Sequence, residues 1–469
     1  MTGAPAGPVA AGGDVATGWR ATAARGVLAL VGAASVAGYA LDLHARFGSD
    51  LSVLSAYVGL FGVLFAGYLV ATLAVLGWAP HDRGTVVLVL GFALAFRVAA
   101  LTGPVVTSSD VFRYLWDGRV QVRGGMSPYR HPPSAPELAG LRDAAIHPAI
   151  NRPDKPTVYP PGAQALFALA AVVAPDSLVG WRLLLLAGDA ATAVLLLAVL
   201  RRAGVPPGSV VVWAWAPLAV FETAQAGHVD GAVPPLVLLA LRWRQERRLA
   251  RAGAALGAAV LIKLYPAVLL VAWWRRGDRR LPLACAAVAA AGYLAYAWPV
   301  GRHVLGFLPE YLGPAEDFNV GLRHFLTEAI GLHGAGARAL AMVALGGALL
   351  VALLVIAARR EETPSGVLRA GAAAAAAYLV LAPTPMHPWY AVWILPFVAA
   401  RPSAAWLWFT GAVSLSYLAY VVKPAPFPLW LRIVQYVPLW ALLLRAVHGR
   451  RAATAVAPAG AACAGLPRG

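Results

Sequence analysis

The stretches SAYVGLFGVLFAGYLVATLAVLGW at 55–78 and GTVVLVLGFALAFRVAALTG at 84–103 decide the fold. A hydrocarbon core takes about 20 apolar residues per helical crossing, and both runs reach that length. Comparable runs recur at 25–43, 182–200, 281–300, 336–358, 366–382, 404–422 and 429–447. Composition agrees, because 60% of the chain is hydrophobic and only 13% is charged, whereas soluble domains carry roughly 25% charged residues. The reading is an all-α, polytopic membrane protein.

A formal charge of +17 raises the question of nucleic acid. The arginines, however, sit in short clusters between apolar spans rather than on one soluble face, the pattern of positive-inside anchoring. No nucleic-acid partner is expected. Cys285 and Cys463 cannot supply a disulfide framework, and no Cys/His cluster has zinc spacing. The first apolar run is long and leads into further spans, so a retained first helix is expected rather than a cleaved signal. Residues 1–18 and 450–469 read as disordered cytoplasmic ends around a single membrane domain at 19–449.

Basic clusters at Arg20/Arg25, Arg201/Arg202, Arg242 to Arg251, Arg275 to Arg280, Arg359/Arg360 and Arg445 to Arg451 mark the cytoplasmic loops. That places 104–161 and 301–335 outside, and these two loops hold nine of the 21 acids. Three stretches do not fit a simple crossing: 162–175 is too short, 208–242 has two short arms around Gly227-His228-Val229-Asp230, and 252–274 is basic at both ends. Broken helices at membrane depth are tolerated where they face protein or a water-filled cavity. For 252–274 the break falls at Lys263-Leu264-Tyr265-Pro266, where proline disfavours helix. About 11 to 13 transmembrane or re-entrant helices are expected, with a structured first outer loop.

The first outer loop begins SSDVFRYLWDGRVQVRGGMSPYRHPP at 108–133. Ser108 or Ser109 can cap a short helix, which places Asp110 and Asp117 on one face two turns apart. Phe112, Tyr114 and Trp116 would let that helix lie on the membrane surface. The plainer alternative is that Asp110 only favours the helix start and Asp117 only pairs with Arg113. Repeated prolines, through NRPDKPTVYPPGAQ at 151–164, make the loop stiff. Tyr129 and Tyr159 suit either sugar stacking or interfacial anchoring. Charged groups inside apolar runs are costly, so Arg182, Asp189, Glu222, His228, Asp230 and Lys263 are functional candidates. An internal Arg182–Asp189 ion pair is the competing reading for those two. Lys263 beside a helix break suits a phosphate anion, and His387 at a helix mouth suits either an anion or a structural cap.

Taken in order, SSDVFRYLWDGRVQVRGGMSPY, VYPPGAQ, ETAQAGHVDG, KLYPAVLL and PMHPWYAVWILP resemble the GT-C superfamily of integral membrane glycosyltransferases. The likeness runs over roughly 85–450 and is closest to bacterial glycosyltransferase family 87 and the polyprenol-phosphate-mannose-dependent mannosyltransferases. The resemblance implies a polyprenyl-phosphate sugar donor, usually mannose, a glycolipid or polysaccharide acceptor, and an essential acid in the first outer loop, by position Asp110. On such a mechanism Lys263, Arg182 and His387 are read as donor-phosphate binders, where charge develops on the leaving group, and Asp117, Tyr129, Tyr159, His228, Asp230 and Tyr265 as sugar or acceptor binders. The family often has a second acid beside the first; here Ser108 and Ser109 precede Asp110 and Val111 follows, and Ser127 stands where asparagine is common. No metal and no cofactor are therefore expected. The expected place is the plasma (inner) membrane, with the active site extracytoplasmic. A transporter or lipid-linked glycan flippase is the rival reading, since broken helices and buried charges also describe transport sites. A polyprenyl-phosphate pentose is the rival donor.

Overall fold

The computed structural model describes residues 12–41, 50–331, 334–382, 384–420 and 427–456. In chain order α1 (Gly12–Tyr39), α2 (Asp50–Gly77) and α3 (Arg83–Leu101) lead to α4 (Asp110–Val122) and α5 (Pro161–Val173). Then come α6 (Leu178–Arg202), α7 (Val233–Gln245), α8 (Leu249–Ile262), α9 (Val268–Trp273) and α10 (Arg280–Val300). The chain continues through α11 (Leu322–Ile330), α12 (Ala335–Arg359), α13 (Pro364–Leu381), α14 (Leu395–Ala400), α15 (Ala404–Ala412) and α16 (Leu429–Val456). No strand occurs among the described residues.

Eight helices, α1 to α3, α6, α10, α12, α13 and α16, are long and apolar enough to cross a membrane. Shorter apolar helices at Pro161–Val173, Leu249–Ile262 and Pro388–Ala400 bring the membrane-type segments to the lower end of the expected range. The expected crossing at 404–422 does not form as one helix. α15 stops at Ala412 and continues as a 3-10 helix over Val413–Tyr420, with Ser414, Ser416 and Tyr417 buried in the protein. α1 begins at Gly12, inside the stretch read as an unstructured end, and α16 extends to Val456. The rest of both ends, with Cys463, lies outside the described residues.

Both broken segments form as expected and are enclosed by protein, which satisfies backbone that lipid could not. Residues 208–231 are buried throughout and pass through short helices, a π-helical turn at Val220–Gln225 and a bend at Gly227 before α7 starts. At the second break α8 ends at Ile262, Lys263 is extended, and a 3-10 turn at Tyr265–Ala267 leads into α9. The approach of α8 to α10 depends on Gly253 and Gly257, one turn apart. A Cβ would stand 2.1 Å from the Leu281 carbonyl oxygen at the first position and 2.7 Å from that of Cys285 at the second. Small residues at this spacing let helix backbones meet in a membrane, and the contact fixes the helix whose end carries Lys263.

Buried charges tie the bundle together. Asp189 of α6 pairs with Arg97 of α3, not with Arg182. Arg182 lies in the first turn of α6, beside the end of α3, where it donates to the Leu101 and Gly103 carbonyls at 2.8 Å each. Asp189 is two turns further along α6, where it meets Arg97 about one turn before the end of α3. At the arginine-rich end, Arg244 meets Glu362 at 2.8 Å and the Trp273 carbonyl at 2.8 Å, and Arg360 donates to the Ala272 carbonyl at 2.5 Å. α7 and α8 have 13 and 14 residues. At 1.5 Å per residue each carries its inner tip about 20 Å from those arginines.

Candidate active site

Near the tips of the broken helices, at the end away from those arginines, the two long loops and the 384–390 segment enclose a cavity of about 860 Å³. Asp110, Asn151, Tyr159, Lys263, His387 and Tyr390 supply its principal polar groups. α4 starts at Asp110, but the carboxylate does not cap its own helix. Oδ1 accepts from Asn151 Nδ2 at 2.6 Å and Oδ2 from the Tyr159 hydroxyl at 3.0 Å. Ser108 Oγ instead accepts from the Asp110 amide at 3.2 Å. Burial pushes the Asp110 carboxyl up; the field of His228, the Asn151 hydrogen bond and the fields of Lys263 and His387 outweigh it and hold the group below its ordinary value. Asp110 is therefore an anion at neutral pH.

Lys263, where α8 ends, turns its ammonium to within 3.1 Å of Asp230 Oδ2 and over the rings of Tyr159 and Tyr390, at 5.3 and 4.9 Å. Two aromatic faces hold a partly desolvated cation in place. Tyr265 donates to Asp230 Oδ1 at 3.1 Å, so Asp230 stands behind Lys263 and Tyr265 and does not line the cavity. Burial pushes the His387 imidazole down to about 3, while Asp110 opposes this and Lys263 and His228 add to it. At neutral pH that ring is uncharged and offers one donor and one acceptor nitrogen.

The second long loop forms the outer wall. Arg152 pairs with Glu316, Lys155 meets Glu310 at 2.7 Å, and the Phe307 amide donates to the Thr157 carbonyl at 2.9 Å. Across the cavity the Tyr311 and Tyr390 hydroxyls are 2.8 Å apart.

Of the residues read from the sequence, Asp110, Tyr159, Lys263, Tyr265 and His387 line the cavity. Asp117, Tyr129, Arg182, His228 and Asp230 do not. Asp117 is buried against Arg113 at 2.7 Å and Gln164 at 2.8 Å, because α5 covers that face of α4 while Asp110 meets only loop residues. α4 does not lie on a surface either, since Val111 and Arg113 to Val120 are all buried. The Tyr129 hydroxyl donates to the Tyr159 carbonyl at 2.8 Å and so braces the neighbouring strand of loop. Arg182, spent on the end of α3, does not reach the cavity. Asn151, Tyr311, Trp389 and Tyr390 are the cavity residues that sequence reasoning missed. Asn151 meets Asp110, and Tyr390 meets Lys263, only once distant loops have folded together.

The helical membrane bundle thus brings Asp110 and Lys263 to one cavity, with Arg152, Lys155, Glu316 and Asp317 also in its lining. Residues 157–385 match the family model described as Glycosyltransferase family 87, and this match supports a GT-C-like membrane glycosyltransferase. No curated protein and no solved structure matches the chain. The matched stretch contains Tyr159, Glu222, His228, Asp230, Lys263 and Tyr265, whereas Asp110 and His387 lie outside it.

Proposed function

We propose that this glycosyltransferase moves a sugar, mannose in the first instance, from a polyprenyl-phosphate donor to a hydroxyl of a cell-envelope glycolipid or polysaccharide. The reaction takes place on the extracytoplasmic face of the plasma membrane and needs no cofactor. The observation that carries the proposal is the pairing within one cavity of an anionic carboxylate, Asp110, with a lysine, Lys263, held at a helix break.

In this reading Asp110 takes the proton from the acceptor hydroxyl as its oxygen attacks the anomeric carbon. The bond from that carbon to the phosphate oxygen breaks on the opposite face, and the polyprenyl phosphate leaves with the electron pair. Its growing negative charge is met by Lys263, with the neutral His387 as hydrogen-bond partner. A carboxylate held below its ordinary pKa is a weak base, so proton transfer comes late, when the attacking oxygen has become strongly acidic. Tyr159 and Tyr265 supply ring faces for the sugar. The arginine-rich loops at the far end support the orientation, since basic clusters stay in the cytoplasm.

The test is transfer by the purified protein from synthetic polyprenyl-phosphate mannose and polyprenyl-phosphate arabinose to a lipid-linked mannoside, with products weighed by mass spectrometry. A mannosylated product supports the reading. A pentosylated product alone changes the donor, and no glycosyl product from either donor overturns the proposal.

A further inference from the structure

Below the cavity floor lies a charged cluster that the proposed reaction does not use. Glu222 and His228 are each 1% exposed, and neither lines the cavity. Glu222 Oε2 lies 2.8 Å from His228 Nδ1, and Oε1 accepts from the Tyr417 hydroxyl at 2.8 Å. The local fold is built to make this contact. A π-helical turn over Val220–Gln225 and the left-handed bend at Gly227 bring the His228 amide to the Glu222 carbonyl at 2.8 Å. Trp181 locks the bend by donating to the Gly227 carbonyl at 2.7 Å. π-helical turns are rare and concentrate at functional sites, and two ionisable side chains this deep in a membrane protein are costly to bury and are functional candidates by default.

The pair reaches the cavity through stacked rings. His228 stacks on Trp389 with centroids 4.0 Å apart and planes 15° apart, and His387 lies on Trp389 at 4.5 Å and 7°. Phe318 follows on His387 at 4.7 Å and 9°, then Tyr420 on Phe318 at 5.2 Å and 11°. His387 is thus clamped between two aromatic planes, and His228 with its carboxylate anchors the lower end.

We infer that Glu222 is a positioning residue: through His228 and Trp389 it fixes the plane of His387, so that this imidazole meets the leaving phosphate in one orientation. The inference rests on the function proposed above, and two measurements separate the two. In the transfer assay Glu222→Gln, which keeps the Tyr417 hydrogen bond and removes the charge, lowers kcat about tenfold with donor KM within about twofold of wild type. Glu222→Asp, which keeps the charge, recovers a large part of that loss. In a His387→Ala background Glu222→Gln has no further effect, because the two changes cut one chain of contacts.

The second measurement needs no turnover. The rate at which diethyl pyrocarbonate modifies His387, followed by peptide mass spectrometry, rises several-fold in Glu222→Gln as the ring loses its anchor. An unchanged modification rate, or Glu222→Gln and His387→Ala losses that simply multiply, overturns the inference. If wild-type protein transfers no sugar, the proposed function fails and the modification rate alone decides the role of Glu222. Should Glu222→Gln not accumulate, Trp389→Phe carries the same measurement and is expected to raise the rate, and no rise overturns the inference.

Discussion

Asn151 Nδ2 stands 2.6 Å from Asp110 Oδ1 although 41 residues separate them in the chain. That contact leaves one lone-pair side of the carboxylate occupied and, with Tyr159 on the other oxygen, sets how an incoming hydroxyl can approach. Asp110→Asn removes the basic oxygen without changing size. Transfer is expected to fall by about 10²–10⁴-fold, the usual contribution of a positioned base, while membrane insertion and abundance, read by blotting of membrane fractions, stay at wild-type level.

The same contact sets a pH dependence. Asp110 is held below 3.8 despite burial, by positive neighbours and by Asn151. A lowered pKa keeps the base ionised at all pH values above it, so activity is lost only as pH falls through that lowered value. Between pH 5 and 8 kcat/KM is expected to show no acid limb from this group. Asn151→Leu removes one of the lowering contacts, and its acid limb is expected to move upward from the wild-type position. A pH–rate profile of the two proteins side by side checks the direction.

Lys263 and Asp230 are 3.1 Å apart, with Asp230 1% exposed. Removing Lys263 alone strands a buried carboxylate at a cost of about 3–5 kcal/mol. Lys263→Met is therefore expected to lower the melting temperature, and the added change Asp230→Asn to restore much of it. Donor use should not return in the double variant, because the cation is still missing. Thermal scans in detergent beside donor-dependence curves separate these two effects.

Gly253 and Gly257 leave no room for a side chain against α10. Gly253→Ala is expected to cost about 1–3 kcal/mol by overpacking, and more if α8 cannot shift. Gly292 on the facing helix tests the same contact from the other side, since its Cβ would meet only the flexible Leu261 side chain at 2.7 Å. Gly292→Ala should be milder, and comparing the two melting temperatures checks the order.

Of the two ion pairs between the long loops, Lys155–Glu310 is largely exposed, whereas in Arg152–Glu316 the arginine is half exposed and the carboxylate mostly buried. A pair exposed as Lys155–Glu310 is contributes only about 0.2–1 kcal/mol. Glu310→Gln is expected to leave the melting temperature nearly unchanged while raising acceptor KM, because the outer wall loses a fastening. Unaltered acceptor KM would count against a role for this wall in binding.

Much of this was legible because hydrophobic length is a local property. The runs at 55–78 and 84–103 are helices wherever they sit, and the proline after Lys263 breaks its helix whatever surrounds it. Hydropathy fails at 404–422, since a segment wrapped in protein is as apolar as one facing lipid, and the 3-10 stretch there carries Tyr417, whose hydroxyl donates to Glu222. The spacing of Asp110 and Asp117 correctly places both on one helical face but is silent about what covers that face. The Arg182–Asp189 reading fails for a related reason: a pair seven apart on one helix can each find a nearer partner elsewhere. Asn151 had no signal of its own, because its contact with Asp110 exists only through the tertiary path of the loop.

The unequal lengths of α3 and α8 have a consequence for access. α3 has 19 residues, about 28 Å, close to a full hydrocarbon thickness, and Asp110 follows soon after its end. α8 starts among the arginines and reaches Lys263 after only 14 residues, about 21 Å. By helix length the lysine lies nearer the acyl chains than the carboxylate, so on the proposed function the lipid-anchored donor meets it from the acyl-chain side and the acceptor hydroxyl meets Asp110 from the headgroup side. Lengthening or shortening the host lipids should therefore change the apparent affinity for the first substrate more than for the second.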